Sequence, residues 1–184
     1  MEICFHYRDV EGQQKMLATL TRLMSRSGEQ VILCIGTDRS AGDCLGPLVG
    51  TLLQEEYPKA VVYGTLAKPV HALNLEETWR KIRTLHPAAL VVAVDASLGR
   101  QDMVEHIIMQ EGPLKPGAGV EKNLPAVGDV TIKGVVNVNG FMPHFLLQNT
   151  RLHVTYSLAR VIAGVLAQAL IGARCLIPVV GGSV

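Results

Sequence analysis

The apolar positions of the chain switch repeatedly between two spacings. From Val10 to Arg26, Val10, Leu17, Leu20, Leu23 and Met24 recur at helical spacing, and Gly28 closes the stretch. "VILCIG" (Val31–Gly36) is instead a short continuous apolar run, the pattern of a strand covered on both faces. Helical spacing returns from Leu45 to Tyr57 and stops before Pro58, and "AVVYG" (Ala60–Gly64) predicts a second strand. Asn74 and Glu77 have the spacing of a capping box, opening a helix that runs to about Leu85. "LVVAVD" (Leu90–Asp95) predicts a third buried strand. "MVEHIIM", from Met103, alternates as an edge strand does, and "VTIKGVVNV" (Val130–Val138) predicts another strand. A final helix occupies most of Leu152 to Ala173.

Strands alternating with amphipathic helices predict an α/β fold, a three-layer α/β/α domain around a mostly parallel central sheet. With no repeat or linker, residues 1–184 form one expected domain. The exception to the alternation is Glu111–Gly128, "EGPLKPGAGVEKNLPAVG", a Gly- and Pro-rich loop of a length usually reserved for function.

Composition sharpens this reading. Hydrophobic residues make up 48% of the chain and aromatic ones only 4%, so the core is built from aliphatic side chains, as buried parallel sheets are. A net charge of +1 and the lack of any Lys/Arg tract favour neither nucleic acid nor an anionic membrane. Cys4, Cys34, Cys44 and Cys175 form no CxxC pair, which argues for a reducing compartment rather than disulfides or zinc. The opening "MEICFHYRDVEG" carries charges where a signal peptide needs an apolar stretch, so a cytoplasmic protein is expected. The apolar "LARVIAGVLAQALIGARCLIPVV" is interrupted by Arg160, Gln168 and Arg174. It therefore predicts a helix buried in the fold or at a homo-oligomer contact, not a membrane span.

Candidate chemistry centres on "IGTDRSAGDCLGP", the turn behind the first buried strand. In open α/β sheets ligands bind beyond the C-terminal strand ends, where strand order reverses. Asp43 falls in this turn and Asp95 ends the third buried strand. If those two strands are neighbours, the carboxyls face one crevice. A P-loop requires GxxxxGK[ST]; here Gly36 and Gly42 are followed by Asp43 and Cys44, wrong in spacing and charge for phosphate. Two close carboxyls cannot both ionise cheaply, so one proton is shared, which suits acid–base work on water. The same pair could hold a divalent cation. The plainer alternatives are a helix cap for Asp43 and a backbone-bonded turn for Asp95.

A nucleophilic serine is disfavoured, since there is no GxSxG and neither Ser40 nor Ser97 has a histidine at set spacing. Beside Asp43 the Cys44 thiol is blunted and is expected to act as a small buried hydrophobe. His71 and His144 lie in loops that could reach the crevice, with an ordinary surface or cap role as the plainer alternative for each.

These residues resemble a known superfamily. "GTDRSAGDCLGP" followed by "VVAVDAS" is similar to the corresponding segments of bacterial spore germination proteases and hydrogenase-maturation endopeptidases. "KPGAGVEKN" resembles the Pro-Gly-Ser-Gly-Val-Gly-Asn segment of the germination proteases, with Ala118 for Ser and Glu121 for Gly. The likeness spans about Val31 to Val138, and the chain as a whole resembles the short sporulation proteins of YyaC type. It implies the phosphorylase/hydrolase-like fold of the hydrogenase-maturation proteases and a sporulation-associated endopeptidase with Asp43 and Asp95 as the catalytic pair. Asp38, Arg39 and Ser40 are then expected at the rim, with Lys68, His71 and Ser97 in support. No cofactor is expected; a metal, if bound, would take Asp43, Asp95 and His144. The implied partner is a protein or peptide substrate, a spore protein in the forespore or mother-cell cytosol. The rival reading keeps the fold as a non-catalytic sporulation factor. With no lysine after Gly42, calorimetry at millimolar ATP or GTP should show no saturable binding.

Overall fold

A computed structural model describes residues 1–116 and 124–176. Its strands are β1 (Glu2–His6), β2 (Gln30–Cys34), β3 (Val61–Tyr63), β4 (Leu90–Gly99), β5 (His106–Glu111) and β6 (Val130–Val138). Its helices are α1 (Val10–Met24), α2 (Leu45–Glu56), α3 (Leu75–Leu85), α4 (Pro143–Gln148) and α5 (Leu152–Leu176). The strands form one mixed, mostly parallel sheet in the order β1-β5-β6-β4-β2-β3. Pairs β2–β3, β2–β4 and β4–β6 are parallel, while β5 runs antiparallel to both β1 and β6.

The layering follows from the connections. From β2 the chain crosses through α2 to β3 on one side, then returns through α3 to β4 on the other side of β2. Right-handed crossovers in opposite directions place their helices on opposite faces of the sheet. All five β2 residues are buried because the pleat sends alternate side chains into two cores. Ile32 and Cys34 join Val92 and Val94 against Leu20 of α1, Leu53 of α2 and Leu166 of α5. Val31 and Leu33 join Val91 and Ala93 against Leu75 and Ile82 of α3. The second core is the thinner one, and beyond α3 it is completed by Leu114 and Val127, whose backbones bond at 2.8 and 2.9 Å and close the base of the long loop. Within that loop Gly117–Asn123, including Ala118 and Glu121, lie outside the described residues.

The apolar C-terminal segment is α5, whose length and composition would suffice to cross a membrane. Leu158, Ile162, Leu166 and Leu170 are instead buried in the larger core, so this helix spends its apolar face on the sheet and its neighbours.

Four local expectations change. β1 was not expected; Ile3, Phe5 and Tyr7 alternate in a short stretch that its charged neighbours obscure. Because β1 takes the edge, β5 is an internal strand, and it begins at His106 after a 3-10 turn at Gln101–Met103. Pro143–Gln148 is helical rather than loop. The capping box does not form. Asn74 makes no side-chain cap bond to α3; its Oδ1 accepts from the His71 backbone N–H at 2.8 Å and its Nδ2 donates to the Pro69 carbonyl at 3.1 Å. Asn74 therefore braces the segment that delivers His71. Asn74→Ala should lower stability by about 1 kcal/mol and Glu77→Ala by no more than a few tenths, as read by urea denaturation.

Candidate active site

The glycines of the turn behind β2 serve close backbone packing. The chain leaves the sheet at Ile35, whose N–H donates to the Val94 carbonyl at 2.8 Å. Gly36 follows at φ +143°, where any Cβ would run into the Asp43 carbonyl oxygen. The Thr37 N–H donates to that same carbonyl at 3.2 Å and closes the turn. Gly46, in the first turn of α2, lies so close to the Ile35 backbone that a Cβ would meet its carbonyl oxygen. The turn thus folds back over the end of β2 and hands Asp43 to the crevice. Asp43 is not a helix cap: Cys44 occupies the cap position of α2, without a side-chain cap bond.

Asp95 lies on β4, the strand beside β2 across the reversal point. The turn that would have been its plainer role is absent, since β4 continues to Gly99. Its Oδ1 accepts a 2.9 Å bond from the Ala96 N–H. By the pleat, Asp95 follows Val91 and Ala93 onto the α3 side of the sheet, where that core runs out.

Asp43 and Asp95 line one cavity of about 430 Å³. Arg39, Ser40, His71, Ser97 and His144 line it too. The Ser40 hydroxyl is buried with no hydrogen-bond partner, a polar atom left over for a ligand or water. Ser97 is tied to the sheet through the Gly134 carbonyl at 3.4 Å. Two expected residues do not reach the cavity. Asp38 is exposed, and its carboxylate turns back to the Thr37 hydroxyl at 3.5 Å. Lys68 is exposed on a tight turn closed by reciprocal backbone bonds to Thr65.

The structure adds residues that motif reasoning passed over. Lys115, Pro116 and Leu124 reach the cavity from both flanks of the long loop, and Lys133 reaches it from β6. A lone charge inside the apolar run "VTIKGVVNV" was the available signal for Lys133. A register shift between β4 and β6 at Ser97/Leu98 makes a bulge beside the site. Just beyond it, Asn137 donates to the Leu146 carbonyl at 3.0 Å and the Thr150 hydroxyl at 3.3 Å. The Gly42 N–H donates to the Leu147 carbonyl at 2.8 Å. Those bonds clamp α4 over the cavity with His144 at its edge. Phe141, Met142 and Phe145, flanking the cavity-lining Pro143 and His144, are 100%, 70% and 55% exposed.

The electrostatics separate the two acids. Burial raises the Asp95 carboxyl well above the ordinary range, and the Asp43 charge raises it further; the Ala96 N–H and Lys133 oppose the shift. Burial also raises Asp43, against the Thr37 backbone and the charges of His144 and His71. Burial first, then Asp43, raises the Cys44 thiol, which removes it as a nucleophile. The arrangement therefore favours one proton on the carboxyl pair. Among the described residues no group of three His, Cys, Asp or Glu is arranged to hold a metal ion. Asp43, Asp95 and His144 share the cavity without forming a coordination set.

A raised carboxyl binds its proton more tightly in the folded than in the unfolded chain. Its contribution to stability is complete below the unfolded pKa and is lost as pH rises through the folded one. Asp95→Asn keeps the shape and an acceptor for the Ala96 N–H but cannot ionise. It should melt higher than the wild type at pH 8 and converge with it towards pH 4, by differential scanning calorimetry.

Comparison with known proteins supports the architecture. Over 134 residues the chain is 54% identical to the Uncharacterized protein YyaC of Bacillus subtilis (strain 168), an alignment covering 72% of this chain and 65% of that protein. It thus spans somewhat less than two thirds of that relative's length. The crystal structure of the NiFe hydrogenase maturation protease HycI from Thermococcus kodakarensis KOD1 matches with a TM-score of 0.55, over 83% of this chain and 99% of that one. At 21% sequence identity the likeness is one of fold. A family profile matches residues 4–165, and the chain belongs to that family, described as Protein of unknown function (DUF1256).

Proposed function

We propose that this protein is a peptidase-like hydrolase in which Asp43 and Asp95 act as a carboxyl pair on an amide bond of a polypeptide. The supporting observation is the convergence of two acids, from separate elements flanking the reversal point, in one cavity where burial raises the proton affinity of both. The ionised carboxyl takes a proton from water as the water oxygen adds to the carbonyl carbon. The protonated carboxyl then gives its proton to the amide nitrogen as the C–N bond breaks, leaving an acid and an amine. The proton inventory balances within the pair, so no cofactor is required. The fold shared with a hydrogenase maturation protease makes polypeptide cleavage the favoured chemistry. The resemblance to germination proteases makes a spore protein the substrate, met in the cytoplasm of a sporulating cell.

The test is incubation of the full chain with spore-protein extract and mass-spectrometric reading of new termini. Asp43→Asn and Asp95→Asn should each abolish cleavage while the protein stays folded, because an amide can neither accept nor share the proton. The double variant should lose little more than either single one, since paired catalytic groups act as a unit. Full activity in both single variants would reject the mechanism and leave a binding module on the same fold.

A further inference from the structure

Lys133 is the one charged residue within the buried run of β6, between Ile132 and Gly134. It is the register partner of Asp95 on the neighbouring parallel strand. The two side chains therefore leave the same face of the sheet, their backbones about 5 Å apart. Both line the cavity with Asp43. Among the described residues Lys133 takes part in none of the ion pairs, which lie elsewhere on the molecule. A half-buried cation inside a strand is costly unless nearby negative charge compensates it, and among the described residues the two carboxyls are the acids that share its cavity.

We propose that Lys133 is the counter-cation of the Asp43–Asp95 pair: its ammonium keeps one negative charge on the two carboxyls and so sets the pH range over which the site works. This rests on the carboxyl-pair reading of the cavity. Burial pushes both acids towards the neutral form, which donates a proton but cannot act as a base. A cation in direct contact would seal the carboxylate away from water; one that makes no salt bridge biases the pair and leaves its oxygens free. Other charges also face the cavity: Arg39 from the turn that carries Asp43, His71 from beyond β3, Lys115 from beyond β5 and His144 from α4. His144 and His71 act on Asp43, whereas Lys133 is the cation whose charge opposes the shift of Asp95. Lys133 also stands on the same rigid sheet as Asp95, directly beside it. It is a positioning residue for charge, acting through the pair.

The test is a carboxyl-carbon NMR titration of the free full-length protein, comparing wild type with Lys133→Met and Lys133→Arg. Lys81→Met, on an exposed position of α3, controls for loss of one positive charge. Lys133→Met should raise the apparent titration of the pair by about one unit, Lys133→Arg should restore it, and Lys81→Met should leave it unchanged. Thermal unfolding checks that each variant is folded, and Lys133→Gln replaces the Met variant if that one is not. A wild-type titration in the neutral variant, or an Arg variant that follows it, overturns the proposal. No substrate enters the measurement. Absence of cleavage with the shift intact would reject the peptidase reading alone, and cleavage without the shift would reject this inference alone.

Discussion

β2 and β4 run side by side through the middle of the sheet, with Cys34 opposite Val94 and the next residue, Ile35, bonded to the Val94 carbonyl. That pairing brings two distant parts of the chain together at the reversal point, one ending in a turn and the other continuing as a strand. Asp43 can face Asp95 only while this register holds. A slip of one residue would send Asp95 to the opposite side of the sheet, into the apolar core with Val92 and Val94. Burial of β2 on both faces is what makes such a slip costly.

The turn that delivers Asp43 is equally constrained. Gly36 and Gly46 pack against the Asp43 and Ile35 backbones in space that no Cβ could share. The glycines that suggest a phosphate cradle serve instead to fold the backbone tightly on itself. On the other side of the cavity the bulge after Ser97 brings Asn137 under α4, whose Leu147 carbonyl also receives the Gly42 N–H. Turn, bulge and short helix thus form one braced rim, and a cavity held this way keeps its carboxyls partly away from water without sealing them in. Such partial desolvation separates proton affinities while leaving room for a substrate.

Much of this was legible in the amino-acid order. The continuous apolar runs of β2 and β4, the helical spacing of α1, α2 and α5, and the punctuation at Gly28 and Pro58 are local signals of strong periodicity. The placement of Asp43 behind one buried strand and Asp95 at the end of the apolar part of another was local too. β1 escaped because five residues with charged neighbours carry little periodic signal. The Asn74 cap failed because its side chain found better partners in the preceding loop.

The sequence by itself determined which segments are buried and where the two acids stand along the chain, because burial on both faces of a strand imprints itself on consecutive residues. Only the tertiary structure decided what stands beside them. Lys133 is 38 positions from Asp95 along the chain and becomes its neighbour through strand register. Lys68 and His71 are three residues apart, yet only His71 reaches the cavity, because a tight turn holds one outward and Asn74 braces the other inward. Register and loop closure are relations between distant segments, and no local pattern encodes them.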